Sequence, residues 1–563
     1  MYRPGLDKGY DAMAVTEKQM EAIASLYKKL QEYRAVYEGQ WGEIIRYLAP
    51  SYASARTTGE PGKEPAPDFK DLFDTTAIYA SNILADGLQG YAFGRNVAWF
   101  RLRFEQKDQS NNKLHKEYLQ AVEKHFYDQL DKSNFYDEAR AFLRCGADFG
   151  TSIMTMEHDA SRGIPVFHSL HPGMYVIEEN RYGEVAVLIR RFWLSQNEAI
   201  EMFGEDNLPR QITQNKNDVS TLYEFCQYIA PDTRIKVDVA GTDSYVSIYW
   251  STEDAKKPVK EERFEHKPFF AWRWAKNPCG SPWGVDNPGM VELPNIKMLQ
   301  SLKQDQLRLS QLQARPPIKR TEGLRVNFTP SGFTDITPGA DFAPVQVVGN
   351  LAWTENQIAL YRQQIDASYH KDFFLALMSN LERVKTATEV NALMDEKSAI
   401  MSSFFSRLSH EFIEPILEAV YDLEMQAMRT PAPPLSLPKQ MLRIDFVSPL
   451  SMIQKRALTF NTTKQFLAEL LSIAELNPAV FDKVNLDRYV EVAGEGYNVD
   501  EKIIKSDKEV AAIRAARAQL QQQQLNFQNQ VEATKAGAQG YSAASKAPEK
   551  GSPAEAASRG GGM

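Results

Sequence analysis

Cysteine is scarce in this chain of 563 residues: Cys145, Cys226 and Cys279 lie far apart, and no CxxC pair occurs. A disulfide framework and a cysteine-based zinc site have no support, and a reducing compartment fits. Long apolar runs are also missing. No stretch approaches the roughly 18–20 residues that span a bilayer, and the polar N-terminal residues lack a signal-peptide core. The chain is therefore expected to be soluble, with no membrane partner. An excess of basic charge is missing as well, since 65 Lys and Arg stand against 73 Asp and Glu for a formal net charge of -8. Tight clamping of nucleic acid through a broad basic surface depends on clustered cations and counterion release, so it is disfavoured. A protein that touches a duplex weakly and lets it slide is not.

Catalytic signatures are thin too. A packaging ATPase needs a glycine-rich loop ending in Gly-Lys-Ser/Thr, and Gly62-Lys63-Glu64 has neither the second glycine nor the hydroxyl. Gly87, Gly90 and Gly94 are spaced GxxGxxxG after a helix and read as a helix end. His158, His168 and His171, near Glu157 and Asp159, have no recognised ligand spacing and read as structural or surface residues. His410-Glu411 lacks the second histidine of HExxH, and Ser281 is not in GxSxG. Glu178-Glu179 precede a turn and read as solvated. The aromatic run Phe269, Phe270, Trp272 and Trp274 reads as buried between layers rather than as a base-stacking platform. The sequence thus points to no catalytic residue, no metal and no cofactor.

What is present is an α+β, mostly helical pattern long enough for two to four domains. Thr16 with Gln19 forms a capping box for a helix to Leu48, ended by Pro50. Asp74 can cap a second helix. Phe100, Leu102 and Phe104 alternate with Trp99, Arg101 and Arg103 as in a half-buried strand. Helices are expected near 112–131 and 135–147, then a β-rich block with a hairpin turning at Asn180 to Gly183 and strands 245–250 and 268–274. Glu292 to Gln313 reads as a helix with Leu299, Leu302, Leu309 and Leu312 on one side. Lys297, Ser301, Gln304, Arg308, Gln311 and Arg315 lie on the other. Pro316-Pro317 stops it, short strands and turns fill 318–350, and a single helix follows from about Trp353 to Met378. Thr386-Ala-Thr-Glu389 is a second capping box, opening a helix to at least Glu414, about 42 Å at ~1.5 Å per residue, that Pro415 kinks without ending. Leu442 to Val447 reads as a strand, helices run to about residue 530, and the Ala-, Gly- and Ser-rich end is expected to be disordered.

Several of these segments, in this order, resemble the portal or head-to-tail connector family of short-tailed bacteriophages. The matching pieces are Trp99-Phe100, Pro268-Phe-Phe-Ala-Trp-Arg-Trp274, Gly280-Ser-Pro-Trp-Gly284, Leu293-Pro-Asn-Ile296 and Pro316-Pro317. Thr386-Ala-Thr-Glu-Val390, Glu414-Pro415-Ile416, Ser448-Pro449-Leu450 and Ile503-Ile-Lys-Ser506 follow, so the resemblance spans about residues 15–515. It implies a non-enzymatic ring, usually of twelve subunits, at one capsid vertex. DNA would be packaged and ejected through the channel, and the capsid joined to the tail. The implied partners are other copies of the chain, the terminase motor, the major capsid and scaffolding proteins, tail adaptor proteins and duplex DNA. The implied location is the virion after synthesis in the host bacterial cytoplasm. On the family's plan, 1–290 is the wing, 291–317 the first stem helix, 318–350 the clip and 351–378 the second stem helix. Residues 379–386 become the channel loop, 387–438 the long helix and linker, 439–530 the crown and 531–563 a disordered tail. A tail or adaptor ring component of the virion is one alternative, and a nucleic-acid-processing enzyme with an unrecognised site is another.

The same plan singles out Glu382, Arg383 and Lys385 in the loop, and Lys297, Arg308 and Arg315 on the first stem helix, as candidates to face DNA. Two readings of the helical row stay open: it lines or flanks the channel, or it is a solvated face with intersubunit ion pairs.

Overall fold

The computed structural model describes residues 15–56, 69–95, 98–104, 113–159, 162–213, 221–232, 245–264, 267–320, 338–339, 342–344, 349–379, 406–427, 429–431, 442–446, 466–470, 484, 489–490, 505 and 507–544. The chain divides into two units, residues 1–110 with 118–469, and residues 111–117 with 470–563.

In the first unit, helix α1 (Glu17–Tyr47) starts at the expected capping box, with Thr16 and Gln19 satisfying each other's backbone N–H. Next come α2 (Thr76–Ala92), β1 (Phe100–Phe104), α3 (Lys113–Lys132, its first turn in the second unit) and α4 (Phe135–Phe149). The β-rich block follows as β2 (Thr151–Asp159), β3 (Ile164–Leu170), β4 (Tyr175–Glu179) and β5 (Val185–Ser195). Two short helices, α5 (Gln196–Phe203) and α6 (Arg210–Thr213), precede β6 (Leu222–Pro231), β7 (Tyr245–Ser251), β8 (Lys260–Phe264) and β9 (Phe269–Arg273). Then come α7 (Pro288–Val291), α8 (Leu293–Ala314), β10 (Ile318–Arg320), β11 (Phe342–Pro344), α9 (Leu351–Ser368) and α10 (Lys371–Ser379). After these lie α11 (Glu414–Gln426) and β12 (Leu442–Phe446). The fold is α+β and mostly helical, and among the described residues no helix is long and apolar enough to cross a membrane.

Strands β4 to β8 form one antiparallel sheet in sequence order, covered on both faces. Because side chains alternate along a strand, Cys226, Tyr228, Val246, Ile248 and Trp250 face Met20, Ile23 and Leu30 of α1. Tyr223, Phe225 and Tyr249 face Ala199 and Phe203 of α5. A three-stranded sheet β3-β2-β9 joins the main core, which runs from the second half of α1 to α11. As the sequence suggested, Phe269, Phe270 and Trp272 are buried in it. Strand β1 pairs antiparallel with β12, so residue 100 meets residue 446. The Tyr127 hydroxyl accepts from Trp99 N and Phe100 N and donates to Phe100 O, satisfying β1 from a helix.

Several expectations need correction. Asp74 is not the N-cap of α2; that position is Thr75, and Asp74 accepts instead from Thr76 N and pairs with Arg362. Gly87 and Gly90 lie inside α2, and a Cβ on Gly87 would collide with the Phe374 ring, so close packing explains the glycine. The single helix 353–378 is broken at Tyr369-His370, where His370 has φ 51°. Helix continues through Pro415, preceded by a π turn at Ser409–Ile413 that shifts hydrogen bonding just where proline has no N–H to give. The capping box at Thr386 and the start of its long helix lie outside the described residues.

In the second unit, a helix of 38 residues, Asp507–Ala544, carries Leu520, Leu525 and Phe527 exposed. It runs beyond residue 531, where disorder was expected. The stretch is rich in Ala and Gln, whose intrinsic helix propensity is high even without a core.

Candidate channel and assembly surface

Helices α8 and α9 form an antiparallel hairpin, and three polar links fix its direction. Gln313 Nε2 donates to Gly349 O (3.3 Å), and Gln306 Nε2 donates to Glu355 Oε1 (3.4 Å). At the inner end Gln300 and Arg362 meet on Asp74, Gln300 Nε2 donating to Asp74 O (2.7 Å) and Arg362 Nη2 to Asp74 Oδ2 (2.6 Å). As residue numbers rise along α8 they fall along α9, and the β10–β11 pair joins the far ends. Gln300 Oε1 also accepts from Phe73 N and Asp74 N, so one amide locks the hairpin to the start of α2. Burial opposes the charge on Asp74, yet hydrogen bonds from Thr76 and Arg362 hold its carboxyl below the ordinary value.

Burial fades along this hairpin. Leu293, Ile296 and Leu299 of α8 and Ile365 of α9 are in the core. Farther out, Leu307 is 50% exposed, Leu312 42%, Trp353 57% and Leu360 47%. Of the stripe read from the sequence, Leu299 is buried, Leu302 and Leu309 are half-buried and Leu312 is exposed, while on α9 Ile358 is buried between the exposed Trp353 and Leu360. The polar row lies in solvent, with Ser301, Arg308, Gln311 and Arg315 exposed. Its members differ in partners. Lys297 Nζ is paired with Glu43 Oε2 of α1 (2.5 Å), a hydrogen bond that raises its pKa. Arg308 lies 3.8 Å from Asp305 on its own helix, a weak exposed pair, and Arg315 caps the C-terminus of α8. The loop candidates Glu382, Arg383 and Lys385 lie outside the described residues.

A second constellation escaped the sequence reading. Arg273, at the end of β9, is 2% exposed. Its guanidinium donates to Glu179, to Gly183 O (3.1 Å) and to Glu411 (2.6 Å), while Glu411 Oε2 also accepts from Arg273 N (3.0 Å). One turn back on the same helix, Arg407 Nη1 donates to Trp274 O (2.9 Å). The outer edge of β9 is thus held by two side chains of a helix rather than by another strand. Glu179 is an ion-pair partner and not the solvated residue expected. The available signal was an arginine inside an otherwise apolar aromatic run, since a buried cation requires carboxylates.

Nearby, the Gly280–Gly284 segment is fixed by packing. Trp283 stacks on Tyr175 (5.6 Å between centroids) and meets Trp41 edge-on (4.9 Å). Gly284 N donates to Thr151 Oγ1 (2.7 Å). Of the histidines, burial pulls His171 down to about 4, and His158 lies 3.2 Å from Arg429, a cation rather than a metal-binding partner. Among the described residues no group of three or more His, Cys, Asp and Glu side chains is placed to hold a metal ion.

A family model described as "Bacteriophage head to tail connecting protein" matches residues 20–504. The chain is 26% identical over 523 residues to the portal protein of Salmonella phage epsilon15, covering 90% of this chain and 92% of that protein. It is 26% identical over 539 residues to the probable portal protein of Bordetella phage BPP-1, covering 92% and 94%. Neither relative favours the tail-adaptor alternative. An anchored helical hairpin with exposed large apolar side chains, in a chain matched over most of its length, leads to one assignment: the chain belongs to the bacteriophage head-to-tail connecting protein family, as a structural connector subunit.

Proposed function

We propose that copies of this chain close into a ring, usually of twelve, around a channel for duplex DNA at one capsid vertex of the virion. The observation that carries this is the α8–α9 hairpin, where Leu307, Leu312, Trp353 and Leu360 are exposed although the inner end is fixed to the body. Large apolar side chains exposed together on one hairpin suit a protein interface, and packing each hairpin against its neighbours in a closed ring covers them without leaving ends. On this reading α8 and α9 are the stem helices and the β10–β11 pair belongs to the clip. The wing precedes residue 291, and the crown begins after about residue 438. Arg308 and Arg315 flank the channel, with Glu382, Arg383 and Lys385 in the loop, while Lys297 mainly braces the hairpin through Glu43. The ring carries no chemistry of its own. The terminase motor supplies ATP hydrolysis, and capsid, scaffolding and tail adaptor proteins are the other partners.

Negative-stain imaging of the purified full-length chain tests this. Rings with an axial hole are expected, and the double variant Leu307→Glu, Leu312→Glu should yield folded single subunits with unchanged far-UV circular dichroism. A chain that stays monomeric, or a double variant that still makes rings, sinks the proposal.

A further inference from the structure

The stretch from Leu351 to Ser379 contains neither glycine nor proline, and its apolar spacing is that of one continuous helix. The structure nevertheless breaks it between α9 and α10. The break puts His370 at φ 51°, a region that residues with a Cβ enter at a cost. It also buries the Tyr369 hydroxyl with no hydrogen-bond partner. Arg144 and Asp148, an ion pair on α4, act electrostatically on Tyr369 together with Glu292 but give its hydroxyl no hydrogen bond. Arg144 Nε and Asp148 Oδ2 are 3.5 Å apart. An unmade hydrogen bond of this kind in a native interior calls for a reason.

The break is held by specific contacts. Phe373 and Phe374 are buried, and Phe374 occupies the space that a side chain on residue 87 would need. Lys371 Nζ pairs with Asp366 Oδ2 (2.7 Å) and lies over the Tyr79 ring (5.2 Å). Residues five apart are not neighbours on a continuous helix face, so the Asp366–Lys371 pair belongs to the broken form. One side of the balance holds backbone strain and an unpaired buried hydroxyl; the other holds a phenylalanine latched onto a bare helix backbone.

We propose that the α9–α10 junction is a two-state joint. One state is the broken helix, latched by Phe374 on Gly87. In the other, residues 351–379 form a single helix, His370 relaxes to right-handed geometry and Tyr369 leaves its unpartnered site. Switching changes the direction in which the chain leaves residue 379. The joint is a property of one chain and stands independently of the ring.

The experiment is a spin-label distance measurement on the full-length chain. Ala359→Cys and Leu375→Cys, both exposed positions, are labelled in a Cys279→Ser background, leaving the buried Cys145 and Cys226. Labelled chain is diluted with unlabelled chain so that distances within one subunit dominate. Sixteen residues of continuous helix place the two labelled backbone positions about 24 Å apart. Gly87→Ala, and separately Phe374→Ala should the first fold poorly, are expected to populate that distance. Adding His370→Gly to either removes the strain of the broken form, and should lower the continuous population about tenfold. A distance distribution unmoved by both latch variants overturns the joint, and so does a latch-variant distribution that His370→Gly leaves unchanged.

Discussion

Asp148 lies wholly buried on α4, with its Oδ1 accepting from Ser81 Oγ (2.6 Å). Burial lifts its pKa to about 6, against the pull of Arg144 and Ser81 toward the charged form. The folded chain therefore holds this proton more tightly than the unfolded chain. The group favours folding least at neutral pH, because stability falls as pH rises from about 4 to about 6. Between pH 4.5 and pH 7.5 the cost amounts to about 2 kcal/mol. Asp148→Asn does not ionise, so it should gain about 2 kcal/mol on the wild type over that interval, read by urea denaturation at both pH values. A difference that does not change with pH would contradict the buried, ionising assignment. Asp74 works in the opposite sense: its lowered pKa contributes stability that is present above the ordinary carboxylate value and is lost as the pH falls from there through the lowered one.

At the scale of elements, joints between helix and sheet are made by few side chains. Arg407 and Glu411 satisfy the edge of β9, and the π turn at Ser409–Ile413 interrupts the regular helix around Glu411. Arg273→Ala removes the guanidinium that Glu179 and Glu411 share. Breaking a buried ionic group on one side costs about 3–5 kcal/mol, so a marked fall in thermal midpoint is expected in calorimetry of the full-length chain. A shift of a degree or less would mean that solvent already neutralises the pair. The hairpin α8–α9 is likewise anchored by a small set of groups, with Gln300 and Arg362 converging on Asp74.

For the whole molecule, net charge and exposed surface bear on function together. A chain at -8 overall can still present a local basic collar, because a closed ring repeats Arg308 and Arg315 once per subunit. Both are exposed, and Arg308 has only the weakly placed Asp305 as an acidic neighbour among the described residues. Arg308→Ala with Arg315→Ala should leave ring assembly intact. Duplex DNA binding by assembled rings should then depend less on salt, the slope of log K against log salt falling by about 0.9 for each phosphate no longer neutralised. An unchanged slope would place both arginines away from the DNA path.

The sequence by itself determined the helices at 17–47 and 293–314, the hairpin 175–190 and the α+β balance. These follow from local spacing, caps and turn residues that need no distant partner. Order and character of segments also carried the family. Tertiary structure alone decided the rest. Periodicity from Trp353 to Met378 gives no hint of a break, because the reason for it is Phe374 seated on Gly87, far earlier in the chain. Glu179, Arg273 and Glu411 look unrelated along the chain, and only folding brings a buried cation to its carboxylates. The row on α8 was legible as a polar face, but that Lys297 pairs with Glu43 while Arg308 and Arg315 stay in solvent depends on where α1 passes. Local sequence sets which surfaces a segment offers; what covers each of them is settled by residues remote in the chain.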